Sequence, residues 1–273
     1  MKRIILIIIL AGSGIFSVSY GQTIKQDVSL NLEKLFSRLV TSPEDADRIR
    51  INDSIKFIID GYAGSDSVLT HSFKNLKYLG QITSRNSQLK IITWNLLLKD
   101  SKSRYYCYFI HRSGKKNLIN RLEGSYNEEP VRTDTIYSEN NWYGALYYDL
   151  RAFRKDGQTY WVLLGIDYGN PSVTSKIIDV LSFTSGGGIL FGKKLFVSGK
   201  EIKYREVLEY SSGAVISLKY LTDKTIVFDH LVPVSPELKG RKEYYGPDFS
   251  YDTYNLEKGM WMLKADVEVR NKK

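Results

Sequence analysis

The chain has a single cysteine, Cys107, so it cannot form an internal disulfide. Its fold must therefore be held together by core packing alone. Cys107 lies in the apolar run YYCYFI, which predicts a buried and unreactive thiol. A catalytic thiol needs an adjacent base and access to solvent, and the interior of a strand offers neither.

The motifs of several enzyme classes are missing as well. The three histidines, His71, His111 and His230, stand in no H-x-x-x-H or H-E-x-x-H pattern, and no G-x-S-x-G string occurs. The string GGILFGKK matches a phosphate-binding loop until Lys194, which stands where that loop needs a serine or threonine hydroxyl. We therefore predict no metal site and favour a protein that is not an enzyme, although a catalytic set assembled from distant residues stays open.

Basic residues outnumber acidic ones by 39 to 30, which gives a formal net charge of +9. They form no stripe, since pairs such as Lys193 with Lys194 stand beside glycine in predicted turns. Nucleic-acid binding needs a clustered basic face, so we expect no nucleic-acid partner. Attraction to an anionic polysaccharide or to an outer cell surface stays open.

The first 21 residues have the pattern of a secretory signal peptide. Lys2 and Arg3 precede an apolar run over residues 4–16, and Ser19 and Gly21 fit a cleavage site before Gln22. We therefore expect export to the periplasm or the cell surface, with an uncleaved anchor as the alternative. No later segment is long enough to cross a membrane, so no transmembrane span is expected after removal of the signal.

Residues 22–75 are predicted to form two short antiparallel helices. Apolar residues recur at helical spacing between Val28 and Val40. Ser42 and Pro43 form a typical start for the second helix, and Gly61 is its expected end.

Residues 76–273 are predicted to form one antiparallel β domain. About a dozen runs are rich in β-branched and aromatic residues and often alternate with polar ones. The connectors are short and turn-like, and they cannot hold the crossovers that parallel strands require. We predict a mainly β, antiparallel meander that forms a barrel, a sandwich or a propeller-like array. The polar residues 124–141 are predicted to be a loop.

Similarity to known proteins rests on five strings: WYGALYYDL, YWVLLGIDYGN, SKIIDVLSF, FDHLVP and YYGPDFSYD. Through these strings, roughly residues 76–270 resemble a family of uncharacterised exported proteins from Bacteroidota-type bacteria. The resemblance implies an exported bacterial protein and carries no catalytic residue over to this chain.

Acidic, amide and aromatic side chains follow several predicted strands, where loops meet at one end of a β fold. The candidate ligand-binding residues are Asp167, Asn170, Asp229, His230, Tyr245, Asp248, Tyr251 and Asp252. Asp229 and His230 are neighbours on a strand, so they point to opposite faces and do not form a base with its orienting carboxylate. The alternative for Asp248 and Asp252 is ordinary turn capping.

Two functions follow from these candidates. We favour a non-catalytic binding or structural protein that contacts a glycan or another envelope component, because tyrosine rings stack on sugar faces and their hydroxyls make polar contacts. The alternative is a carbohydrate-active or other hydrolytic enzyme that uses the acidic loop ends as paired carboxylates. No cofactor is predicted, although converging carboxylate oxygens would suit calcium.

Overall fold

The computed structural model describes residues 16–99, 103–114, 116–127 and 129–267, with side chains described from residue 28 onward. Most of the predicted signal peptide, residues 1–15, lies outside the described residues. In the described part of the chain, no helix is both long enough and apolar enough to cross a membrane.

Two antiparallel helices come first, as predicted, but their bounds differ from those expected. They are α1, Phe16–Thr41, and α2, Asp45–Ala63. Ser42 does not start the second helix, because its N–H donates to the carbonyl of Arg38 and completes α1. The proline that follows disfavours helical backbone at Ser42, so α2 begins only after Glu44. Gly61 lies inside α2, two residues before its end.

The first sheet is a meander of four antiparallel strands in chain order. Its strands are β1, Gly80–Thr83, β2, Leu89–Leu96, β3, Arg104–Ser113, and β4, Lys116–Ser125. A short turn over residues 84–88 joins β1 to β2, as the connector SRNSQ predicts.

The second sheet is built around a long strand, β8, that pairs with three others. Its strands are β5, Tyr137–Ser138, β6, Leu146–Lys155, β7, Gln158–Asp167, β8, Val173–Phe183, β9, Ile189–Phe191, and β12, Glu206–Ser211. One edge of β8 pairs with β7, and the other edge pairs with β12 and then with β9. A gap therefore separates β9 from β12 beside Asp179.

The third sheet has six strands and one parallel pair. Its strands are β10, Phe196–Ser198, β11, Glu201–Lys203, β13, Leu218–Thr222, β14, Thr225–Pro233, β15, Tyr245–Glu257, and β16, Met260–Val267. The spatial order is β11-β10-β16-β15-β14-β13. The β10–β16 pair is parallel, which departs from the predicted all-antiparallel arrangement.

Three apolar clusters stack these elements into four layers. The first cluster lies between the helices and one face of the first sheet, the second between the first and second sheets, and the third between the second and third sheets. The first two sheets are thus covered on both faces, which explains why all but one residue of β2 are buried. The mainly β prediction is confirmed, and none of the described sheets closes into a barrel.

The predicted loop over residues 124–141 is irregular except at its ends. β4 continues to Ser125, and the two-residue β5 pairs with β9. This segment runs beside the end of β7, where the widest polar cleft opens.

Candidate functional site

The most promising site is a cleft formed by two adjoining cavities of about 380 and 230 Å³. The cavities share four lining residues, which are Asn127, Glu129, Pro130 and Asp167. Small-molecule sites are usually clefts of this combined size with a few placed polar groups.

The first cavity combines aromatic rings with polar groups. Its other lining residues are Ser125, Tyr126, Val131, Arg132, Tyr137, Asn141, Trp142 and Tyr143. The second cavity is more polar, because turns from the second and third sheets meet there. Its other lining residues are Asn170, Val173, Ser175, Glu209, Gly240, Lys242 and Glu243.

Asp167 lies at the junction of the two cavities, at the carboxyl end of β7. Its Oδ1 accepts hydrogen bonds from the Tyr105 hydroxyl at 2.9 Å and from the Gly169 N–H at 2.8 Å. Its Oδ2 accepts no hydrogen bond from any described residue. Burial raises the pKa of Asp167 to about 6, although the two hydrogen bonds oppose that rise. Asp167 therefore titrates close to neutral pH.

Tyr105 fixes the position of this carboxyl from the first sheet. Its hydroxyl donates to Asp167 and accepts from the Tyr168 N–H at 2.6 Å. Its ring is fully buried and stacks on the Tyr126 ring, with the centroids 4.5 Å apart. Strand β3 thus holds one oxygen of Asp167 in place.

Asn170 has a turn-forming role in the same cleft. Its Oδ1 accepts from the N–H groups of Ser172 and Val173 at 2.9 and 3.2 Å. This is the Asx-turn pattern, and it shapes the β7–β8 connection that carries Asp167.

A buried ion pair supports the wall of the first cavity. The Arg205 Nε donates to Asp179 Oδ2 at 2.9 Å, and neither side chain is exposed to solvent. The Arg205 guanidinium also donates to the carbonyls of Arg132, Thr135 and Phe191. Arg205 thereby fills the gap between β9 and β12 and ties the segment before β5 to the second sheet.

Sequence reasoning missed Tyr105, Asp179 and Arg205. A signal for Asp179 does exist, since an acidic residue interrupts the apolar run of KIIDVLSF in a predicted strand. Such an interruption indicates either a buried pair or a functional carboxylate. Nothing local identifies Arg205 as its partner, because the two residues are 26 positions apart.

A second polar group lies on the third sheet, where His230 meets Asp252. The His230 Nδ1 lies 2.9 Å from Asp252 Oδ2, and Asp252 Oδ1 accepts from the Asp266 N–H at 3.0 Å. The hydrogen bond to Asp252 raises the pKa of His230, with Asp248 and Asp266 adding to the effect. Since Asp252 follows a bulge in β15, its pairing with His230 could not be read from the sequence.

Residues 248–250 form that bulge and project from β15. Asp248 Oδ1 accepts from the N–H and hydroxyl of Ser250 at 3.1 and 2.8 Å, which is ordinary turn capping. Phe249 at the tip is 92% exposed and has a left-handed backbone with φ of 72°.

The remaining candidates on β14 and β15 hold neighbouring segments. Asp229 Oδ2 accepts from the Ser217 N–H at 2.7 Å. The Tyr245 hydroxyl accepts from the Gly240 N–H at 3.0 Å. Tyr251 is half-buried and pairs with Asp229 in the β14–β15 register.

The sequence-predicted residues thus fall into two groups. Asp167 and Asn170 line the cleft. The other six lie on β14 and β15 and line neither of its cavities, and they are Asp229, His230, Tyr245, Asp248, Tyr251 and Asp252. Among the residues that the structure describes, no group of three or more His, Cys, Asp or Glu side chains is placed to hold a metal ion.

Comparison with protein-family models, with curated proteins and with solved structures finds no match for this chain.

Proposed function

We propose that the chain is an exported bacterial binding protein that holds a glycan, or a similar envelope component, in the Asp167 cleft without catalysis. The observation that carries the proposal is a half-buried carboxyl, Asp167, at the junction of an aromatic and a polar cavity, with one oxygen that no described residue bonds. The signal-peptide pattern and the resemblance to exported Bacteroidota-type proteins support export.

The lining suits a polyhydroxylated ligand. The half-buried rings of Tyr126 and Tyr137 line the first cavity and offer apolar surface, on which the C–H faces of sugars pack. Asn127, Asn141 and the free oxygen of Asp167 offer hydrogen-bonding groups for hydroxyls.

The charge of the cleft selects among glycans. Four carboxyls, Glu129, Asp167, Glu209 and Glu243, line it against two cationic side chains, Arg132 and Lys242. Like charges repel, so the cleft favours a neutral or amino sugar over an anionic polysaccharide, despite the net charge of +9 on the whole chain.

One observation favours the hydrolase alternative. A carboxyl with a pKa of about 6 is suited to act as a general acid near neutral pH. Glu209 and Glu243 line the same cavity as Asp167, so either one is a candidate for the second carboxylate of a glycosidase.

A thermal-shift screen of the mature protein against neutral, amino and acidic glycans, and against calcium, tests the binding proposal. A specific ligand raises the melting temperature, and the rise grows with the ratio of ligand concentration to Kd. Asp167→Asn should abolish or reduce the shift. The matched control is Asp156→Asn in the turn at the other end of β7, where a left-handed backbone tolerates both residues. A shift that survives Asp167→Asn unchanged would place the ligand elsewhere.

Incubating the best glycan with the protein separates the binder from the enzyme. The proposal expects a stable complex and no new reducing ends. Product that forms with the wild type and is lost in Asp167→Asn would establish the hydrolase instead. Export is tested separately by the mass of the protein from its native host, which should lack residues 1–21.

A further inference from the structure

A lysine lies buried between the helices and the first sheet, far along the chain from the Asp167 cleft. Lys90 belongs to β2 and is 0% exposed. Its neighbours on the same face of β2, Ile92 and Trp94, belong to the apolar cluster under the helices. A lysine in such a position is rarely fully buried unless it is paired with an anion.

Lys90 has only neutral partners. Its Nζ lies 2.9 Å from the Ser72 Oγ and 3.2 Å from the Tyr62 Oη, and it also contacts the carbonyl of His71. In the part of the chain that the structure describes, no carboxylate forms a salt bridge with Lys90. Burial lowers the pKa of Lys90 to about 8.

The three contacts match the three N–H donors of a charged lysine, since Nζ donates to Tyr62 Oη, to the His71 carbonyl and to Ser72 Oγ. The Tyr62 hydroxyl itself donates to the His71 carbonyl at 2.7 Å, so it is left to accept from Lys90. Once Lys90 loses a proton, two N–H bonds remain for Tyr62 and His71. The Nζ lone pair then faces the Ser72 hydroxyl and is placed to take its proton.

Ser72 is exposed, whereas the amine behind it is sealed. A groove of about 440 Å³ lies nearby, lined by Tyr62, which Lys90 contacts, and by Phe73, which follows Ser72 in the chain, although Ser72 and Lys90 do not line it themselves. The remaining lining residues are Val28, Phe57, Ile58, Asp60 and Gly61. An exposed hydroxyl bonded to a buried amine, beside an apolar wall, is the arrangement that serine–lysine hydrolases require.

We propose that Ser72 and Lys90 form a nucleophilic pair that cleaves carboxylic esters, with the apolar acyl chain seated in the groove beside Tyr62 and Phe73. This activity goes beyond the proposed glycan binding and uses a different part of the molecule.

The reaction has two balanced steps. Ser72 Oγ attacks the ester carbonyl carbon while Lys90 takes its proton, and the C–O bond to the alcohol then breaks as Lys90 returns the proton to the leaving oxygen. Water next attacks the acyl-serine, with Lys90 again taking and returning one proton. The free acid leaves and the Ser72 hydroxyl is restored, so ester plus water gives acid plus alcohol.

Fluorophosphonate labelling followed by peptide mass mapping tests the pair directly. A single adduct should form on Ser72, and Ser72→Ala should remove it. The matched control is Ser54→Ala, an exposed serine on α2 whose hydroxyl donates to the Arg50 carbonyl. The labelling rate should rise with pH and level off above about 8, as Lys90 loses its proton.

Lys90→Met separates this role from a structural one. Loss of the general base should slow labelling of Ser72 at pH 8 by about 100-fold. No adduct on Ser72, or a rate that Lys90→Met leaves unchanged, would overturn the proposal. If Lys90→Met does not fold, the pH dependence of the labelling rate of the wild type replaces it as the test. A labelling rate that rises with hydroxide concentration and never levels off would exclude Lys90 as the base.

Discussion

Asp179 and Asp167 lie on the paired strands β8 and β7, yet their surroundings differ. Asp179 is sealed inside the second sheet against Arg205, and it also accepts from the Tyr143 hydroxyl at 2.8 Å. Asp167 has only a tyrosine hydroxyl and one backbone N–H as partners. Burial raises the pKa of both carboxyls, and at Asp179 the guanidinium offsets part of that rise.

The difference separates a structural carboxyl from one available for function. Asp179 interacts with groups inside the fold, because its ion-pair partner Arg205 fills the gap between β9 and β12. Asp167 has one oxygen, Oδ2, that accepts no hydrogen bond from any described residue, and its carboxyl holds a proton up to a pH of about 6. A ligand in the cleft is able to reach both. A perturbed carboxyl without a counterion, in a cleft, is a functional-site candidate on physical grounds.

The largest effect is expected from Arg205→Met, which leaves Asp179 buried without its counterion. Breaking one half of a buried ion pair costs about 3–5 kcal/mol of unfolding free energy. Urea unfolding monitored by circular dichroism measures this loss. Asp179→Leu combined with Arg205→Met should recover much of it, since an apolar pair leaves no unpaired charge.

Arg154→Met is the matched control, because Arg154 is exposed and bonds only the Gly157 carbonyl. It should change the free energy of unfolding by less than about 0.5 kcal/mol. A loss below about 1 kcal/mol for Arg205→Met would show that the ion pair is not the structural element described here.

Asp167→Asn should stabilise the protein, in contrast to Arg205→Met, and the size of the gain should depend on pH. The folded protein keeps a proton that the unfolded chain releases, because the pKa of Asp167 is raised from 3.8 to about 6. The stability that Asp167 contributes is therefore fully present below pH 4 and is lost as the pH rises through 6. Relative to the wild type, the variant should gain up to about 3 kcal/mol at pH 8, at 1.36 kcal/mol per pKa unit, and little at pH 4.

Melting temperatures at pH 4 and pH 8 check this prediction. Asp156→Asn at the opposite end of β7 should shift neither value. A stabilisation by Asp167→Asn of the same size at both pH values would mean that the carboxyl does not titrate in this window.

Tyr105→Phe should have an intermediate effect on the same carboxyl. It removes the hydroxyl that joins Asp167 to the Tyr168 N–H, so two buried polar groups lose a partner. The expected loss is about 1–2 kcal/mol by urea unfolding. Tyr168→Phe, at a ring that is exposed, should be nearly neutral. Equal effects of the two variants would contradict the positioning role of Tyr105.

His230→Gln should have the smallest effect, because the His230 side chain is 36% exposed, although its partner Asp252 is buried. The pKa of His230 is raised in the folded protein, so its contribution is present below the unfolded pKa of 6.5 and is lost as the pH rises past the folded value. We expect a loss under about 1 kcal/mol at pH 5.5 and none at pH 9, by thermal unfolding. A loss that is independent of pH would point to packing instead of the ion pair.

The sequence predicted the local structure well because hairpin turns and periodicity are local signals. The connectors around Gly114 and Gly157 do form tight turns, and both glycines have positive φ. Asp167 and Asn170 are predicted as candidate ligand-binding residues because they follow a strand, and both line the cleft. The bounds of the helices were predicted less well, because α1 begins at Phe16, inside the predicted signal peptide, and Ser42 completes α1 instead of starting α2.

The layer arrangement and the buried partners could not be predicted. A continuous apolar run such as YWVLLG in β7 indicates that both faces of the strand are covered, but it does not show which elements cover them. Tyr105 meets Asp167 across 62 positions, and Arg205 meets Asp179 across 26. Lys90 is an ordinary lysine in the sequence until the fold places it beneath two helices. Such pairings depend on the tertiary fold and leave no local pattern.

A ¹³C NMR pH titration of the aspartate carboxyl carbons tests the central claim most directly. The Asp167 resonance, assigned by its absence in Asp167→Asn, should titrate with a midpoint at about 6. It should also shift when the best glycan from the screen is added. A midpoint below about 4.5, near the value for an ordinary aspartate, would contradict the account of Asp167 as the cleft's uncompensated carboxyl.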